Sequence, residues 1–227
     1  MSSSLEFDVY VVDVCGTLVR EDTTLGLLRY HFARCSGRRW RQYVFGAMTA
    51  SRSPVRLCVA VLERLTGRHL LKHAVVGLLA GDRKEALAQS ASDYAAALLS
   101  QGRVSSVWPL IEHPARAGRV VLASASLEPV VASLAASIGA RYVASQLEER
   151  DGLLTGKYAQ DLTGAKEQAL RSKYGPAVLA GRVCAISDNF SDRALLEGAE
   201  QAYVVLHLAS HRQRWNGIMA TFLRVDE

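Results

Sequence analysis

The chain has 227 residues, 49% of them hydrophobic and 22% charged, with a net charge of +5. That balance suits a folded globular protein and excludes a disordered or fibrous one. The longest apolar runs, such as residues 74–81 (AVVGLLAG), fall short of the roughly 18–20 residues a bilayer-spanning helix needs, so no span is expected. The opening MSSSLEFDVY carries acids and no basic segment ahead of an apolar stretch, so a secretory signal is not expected and the cytoplasm is the expected location. Cys15, Cys35, Cys58 and Cys184 form no CxxC pair, and reduced thiols are expected.

In chain order, the first element is a short apolar run, residues 7–12 (FDVYVV), of the kind that forms a buried strand. Residues 21–108 follow, with eleven Arg and two Lys against six acids, so the excess positive charge of the chain belongs to this segment. Its apolar residues recur at three-to-four spacing in TTLGLLRYHFARC, RRWRQYVFGAM, PVRLCVAVLERL and HLLKHAVVGLLA. Ser53 and Pro54 supply a start for the third of these helices and Gly67 a stop, so a four- or five-helix insert is expected. Strand-like runs then return at 119–123, 182–186 and 202–206, separated by helical stretches at 128–138, 166–174 and 191–198. Residues 143–158, with Asp151-Gly152 at their centre, read as a hairpin. The alternation predicts a doubly wound α/β core, residues 1–20 and 109–227, carrying an inserted all-α cap at 21–108.

Open parallel sheets bind ligands beyond the carboxyl ends of their strands, so the polar residues after each apolar run are the ones to collect. They are Asp13-Val14-Cys15-Gly16-Thr17 after the first run, Ser124-Ala125-Ser126 after the second, Lys166 before a helix, and Asp188 and Asp192 after the third run. Three carboxylates, a hydroxyl and an ammonium would converge there.

These four stretches resemble the motifs of the haloacid dehalogenase superfamily: DxDGT, a strand-end Ser or Thr, a Lys, and a closing acidic pair. The SAS form of the second motif, the DGLLTG hairpin and the helical insert are most similar to the phosphoserine-phosphatase-like branch. The resemblance implies hydrolysis of a phosphate monoester, with Asp13 as nucleophile forming an aspartyl-phosphate. Gly16, Thr17, Ser124, Ala125 and Lys166 are the expected phosphate site. Asp13, Asp188, the backbone carbonyl of Cys15 and, through water, Asp192 are the expected holders of Mg²⁺, a hard cation that prefers oxygen ligands and keeps waters.

Cys15 departs from the family pattern, which has a second Asp there as general acid and base. The departure leaves two readings open. In the first, the chain is a phosphatase in which Cys15 either takes part or limits turnover; in the second, it is a catalytically weak or inactive module that binds a phosphorylated ligand. Asp188 and Asp192 argue against the metal-free dehalogenases of the family, and phosphonate hydrolysis would need a cap amine, Lys72 or Lys84. A small anionic phosphorylated substrate is the expected partner, with substrate identity and oligomeric state left open.

The basic cap has three readings: a solvated face, a binding surface for the anionic remainder of the substrate, or contact with nucleic acid or an anionic membrane through Arg38, Arg39, Trp40, Arg41 and Tyr43. Nucleic acid is not the expected partner, whereas a membrane surface or lipid phosphate stays open. Thr23, Arg29 and Arg52 are candidate cavity-lining residues. His31, His69, His73, His113, His207 and His211 show no metal-ligand spacing and are expected not to be ligands.

Overall fold

The computed structural model describes residues 6–34, 39–50, 53–66 and 70–225, so Cys35, Arg38, Arg52, Gly67 and His69 lie outside the described residues. Among the described residues, seven strands form one sheet in the order β4-β3-β2-β1-β5-β6-β7. These are β1 (Val9–Val12), β2 (Val120–Leu127), β3 (Arg141–Arg150), β4 (Leu153–Gln160), β5 (Val183–Ser187), β6 (Gln201–Leu206) and β7 (Thr221–Arg224). All neighbours run parallel except β3 and β4. The expected doubly wound α/β fold is therefore present, and the sheet order reverses around β1.

Period-two alternation explains why the central strands are apolar throughout. Val9 and Val11 of β1, with Val121 and Ala123 of β2, pack on one face with Ala169 and Leu170 of α8 (Lys166–Tyr174). Tyr10, Val12, Val120 and Leu122 pack on the other face with Val130, Val131 and Leu134 of α7 (Glu128–Ile138). Gly139, at φ 70°, closes α7 in the left-handed conformation.

Between β1 and β2 the chain forms α1 (Thr23–Arg34), α2 (Arg39–Thr49), α3 (Pro54–Thr66), α4 (Leu70–Gly77), α5 (Lys84–Gln101) and α6 (Trp108–Arg116). Asp22 starts α1 by accepting the Leu25 N–H at 3.0 Å. The expected hairpin is β3–β4, with Asp151 at φ 52° and Gly152 at φ 75° making its turn. It also supports the inserted helices. The Gly81 N–H donates to the Leu154 carbonyl at 2.8 Å, and the Leu154 N–H donates to the Asp82 carbonyl at 2.9 Å.

Candidate active site

Four strand ends and one helix start meet over a cavity of about 730 Å³. Asp13 follows β1, and its Oδ1 accepts from Lys166 Nζ at 2.7 Å. Lys166 is the first residue of α8 and also donates to Asp192 Oδ2 at 2.6 Å. The three side chains are 5%, 5% and 4% exposed respectively, so ionised groups are held almost out of water. Burial pushes the Asp13 carboxyl up to about 7, against the pull of Lys166 and with the push of Asp192 and Asp188. Burial alone would lower Lys166, but the charges of Asp13 and Asp192 overturn it and raise the ammonium above its ordinary value.

Asp192 lies beside Lys166 and does not line the cavity. Its Oδ2 also accepts from the Ser187 hydroxyl at 2.7 Å. Thr17, expected at the phosphate, is fully buried and serves Asp188 instead: its hydroxyl donates to Asp188 Oδ1 at 3.0 Å and accepts the Asp188 N–H at 2.9 Å. A hydroxyl has one proton, so none is left for a phosphoryl oxygen. Burial raises the Asp188 carboxyl, opposed by the Thr17 hydrogen bond.

Gly16 sits between these groups at φ 70°, and a Cβ there would run into the Asp188 carboxylate and come within 2.9 Å of His207 Nε2. His207 is a residue the sequence reasoning set aside. It lies directly after β6, with Nε2 at 2.8 Å from the Gly16 carbonyl and 3.2 Å from Asp188 Oδ2. The strand-end rule that found the other motifs would have found it too.

On the opposite wall, Ser124 Oγ accepts the Ser126 N–H at 3.1 Å, and Ser124, Ala125 and Ser126 all line the cavity. Cys15 Sγ lies 2.9 Å from Ser126 Oγ and 3.0 Å from Thr23 Oγ1, and it accepts the Thr23 N–H at 3.2 Å. Burial, with the charges of Asp22 and Asp13, pushes the Cys15 thiol up to about 11, so the group stands protonated at neutral pH.

The roof comes from the inserted helices: Leu25 of α1, Arg56 and Glu63 of α3, and Leu71 and Lys72 of α4. The candidate lining residues fare differently from expectation. Thr23 is buried against Cys15 and Ser126, and Arg29 points to solvent, paired with Glu21 at 3.3 Å. Neither lines the cavity. Of the two cap amines, Lys84 is exposed and paired with Glu149, whereas Lys72 reaches the cavity and is tied to Asp161 at 2.6 Å and Thr163 at 2.7 Å. An ammonium so paired is a poor imine former.

A divalent cation fits the floor. Asp13 and Asp192, both buried, and the half-buried Asp188 set three carboxylates against the single ammonium of Lys166, a deficit of positive charge beside the open cavity. Among the described residues no group of three or more His, Cys, Asp or Glu side chains forms a cage. Mg²⁺ is commonly held by one or two carboxylates together with waters and phosphate oxygens, and Asp13 and Asp188 line the cavity as such a pair.

The family model for haloacid dehalogenase-like hydrolases matches residues 11–197, from β1 through α9 (Arg193–Glu197), which takes in all four motifs. The chain belongs to the haloacid dehalogenase-like hydrolase family. No functionally curated protein matches it by sequence. Among solved structures, this hydrolase is similar to a protein of unknown function from Bordetella pertussis Tohama I, at 17% identity and TM-score 0.64, over 94% of this chain and 97% of that one. It is also similar to cytosolic 5'-nucleotidase IIIB bound to cytidine, at 17% identity and TM-score 0.66, over 96% and 80% of the two chains. A phosphoserine phosphatase in apo form matches at 14% identity and TM-score 0.58, over 97% and 96%. At such identities the likeness is one of fold.

Proposed function

We propose that this hydrolase cleaves a phosphate monoester through an aspartyl-phosphate on Asp13. The observation that carries the reading is the Asp13 carboxylate at the cavity floor, held by Lys166 at 2.7 Å with Asp188 and Ser124 around the same space.

Asp13 attacks phosphorus, forming an O–P bond to its carboxylate as the ester oxygen leaves. Lys166, fixed from behind by Asp192, keeps Asp13 oriented and offers positive charge to the transferring group. The Ser124 hydroxyl accepts from the Ser126 N–H, which leaves its own proton free to point at a phosphoryl oxygen. Gly16 lets the loop backbone come close. Mg²⁺, held by Asp13 and Asp188 with the Cys15 carbonyl, would supply cancellation of phosphate charge when bound. In this reading Asp192 positions Lys166 and has no direct part in holding the ion.

Cys15 sets the limits. As a thiol raised to about 11 it is a weak acid, so protonation of a leaving alkoxide is the slow step, and an aryl ester, whose leaving group scarcely needs a proton, suffers less. The same substitution favours the rival reading, a phosphate-binding module without turnover.

Phosphate release from sugar, amino-acid, nucleotide, lipid and aryl phosphates, with and without Mg²⁺, on the native chain and Asp13→Asn, separates the two. Release that needs both Mg²⁺ and Asp13 is expected. Release of nothing, even from an aryl ester whose leaving group scarcely needs an acid, would leave the binding module.

A further inference from the structure

α3 is built inside out. On a helical wheel Arg56, Val59 and Glu63 share the half-buried side, with Arg56 and Glu63 lining the cavity and paired at 3.5 Å. The opposite side presents Leu57, Val61 and Leu65, which are 60%, 58% and 77% exposed, and the exposed Cys58. A helix on a globular protein ordinarily turns its apolar stripe to the core and its charges to water. Next to α3 lies α2, with Trp40 57% and Tyr43 76% exposed. Exposed aliphatic and aromatic side chains therefore stand on two neighbouring helices, of which α3 also roofs the cavity.

We propose that this outer face of α2 and α3 docks on an anionic lipid bilayer, and that the monoester entering the cavity beneath it is a lipid phosphate. The docking stands by itself, whereas the substrate class rests on the phosphohydrolase reading.

Charge selects the partner. Residues 38–68 hold Arg38, Arg39, Arg41, Arg52, Arg56, Arg64 and Arg68, with Glu63 as the only acid. Arg41 turns inward to Asp82 at 2.6 Å, and Arg39 and Arg64 are exposed beside the apolar residues. A second copy of the chain would bring two such basic segments together, which disfavours self-association through this face. Nucleic acid would meet the arginines but leave the aliphatic stripe in water. A bilayer with anionic headgroups answers both, with Trp40 and Tyr43 at the headgroup level and the aliphatic side chains below it. α3 has 13 residues, and no helix among the described residues is long and apolar enough to cross a membrane, so the face lies on the surface.

Flotation with vesicles of phosphatidylcholine, alone or mixed with phosphatidylglycerol, tests the docking on the native chain and on the combined Leu57→Ser, Val61→Ser and Leu65→Ser variant. The native chain should float with the anionic vesicles, less so as salt rises, and the variant should bind at least about tenfold more weakly. The variant's thermal melting and its hydrolysis of p-nitrophenyl phosphate should be unchanged, because the altered side chains face solvent. Failure to float, equal flotation of the variant, or a native dimer that the variant converts to monomer by light scattering would overturn the docking. With docking present, vesicles carrying phosphatidic acid should release phosphate, and the variant should lose this activity alone. If p-nitrophenyl phosphate is cleaved and phosphatidic acid is not, the lipid substrate is overturned. If neither is cleaved, the phosphohydrolase reading fails and the docking stands.

Discussion

Asp13, Lys166 and Asp192 are charged side chains almost wholly buried, whereas Leu57, Val61 and Leu65 are apolar side chains more than half exposed. The cavity floor and the outer face of α3 thus depart from the usual partition of residues in opposite directions. Each departure costs stability where it stands, and the two differ in how the cost is met. On the floor part of it is offset within the chain, because Lys166 is hydrogen-bonded to both Asp13 and Asp192. On α3 nothing among the described residues covers the stripe, so compensation has to come from outside. In the proposed reading, buried charge marks where chemistry is done, and exposed apolar surface marks where a bilayer is met.

The largest effect that would test this contrast is at the nucleophile. Asp13→Asn should lower phosphate release by about 10³-fold or more while leaving the flotation of the native chain intact. A variant with residual turnover close to native would break the assignment of Asp13. Cys15→Asp should act in the opposite direction, raising turnover of alkyl phosphates by about 10²- to 10⁴-fold with a smaller gain on aryl phosphates, as steady-state rates would show. Equal gains on both would mean that only the water-activating step had been limiting.

Lys166→Met removes the ammonium between two buried carboxylates, so chemical denaturation should show a loss of about 3–5 kcal/mol. A loss under about 1 kcal/mol would mean that the carboxylates take up protons readily instead.

The smallest effect is at the contact between α4 and the loop before α8. Burial alone would raise Asp161, but the Lys72 and Thr163 hydrogen bonds hold it below its ordinary value of 3.8. A carboxyl depressed in the folded state stabilises it above that value, and the contribution disappears as pH falls through the lower, folded value. Lys72→Met should therefore cost about 1 kcal/mol at neutral pH and make the acid limb of the stability curve shallower. An unchanged acid limb would show that this pair does not hold the helices to the sheet.

Much of the fold could be read from the residues because local pattern and tertiary environment agree. The run 119–123 overlaps β2 from Val120, and the stretches 128–138 and 166–174 coincide with α7 and α8. α5 gave no comparable signal because KEALAQSASDYAAALLSQ is rich in Ala and Ser and only weakly two-faced, although Leu87, Tyr94 and Leu98 are buried. α6 carries Pro114 inside it, and β7 is a four-residue edge strand with half-exposed side chains. Residues 191–198 form a 3₁₀ turn at Phe190–Asp192 followed by a five-residue helix, so this stretch breaks near the residue that meets Lys166.

Sequence by itself determined which residues stand at the strand ends, since an apolar run that ends in a polar residue fixes both the strand and its functional tip. That was enough for Asp13 and Asp188 and for the departure at Cys15, whereas Ser124 lies inside β2, where the pairing with β3 shifts register after Ala123. Tertiary structure decided the partners: Asp192 with Lys166, Thr17 with Asp188, His207 with the Gly16 carbonyl, and Arg41 with Asp82 in place of solvent. It also decided which way α3 faces. A helix's period shows that its apolar residues share one side, but the direction of that side depends on the elements that pack against it, and here α2 and α4 hold the polar side inward.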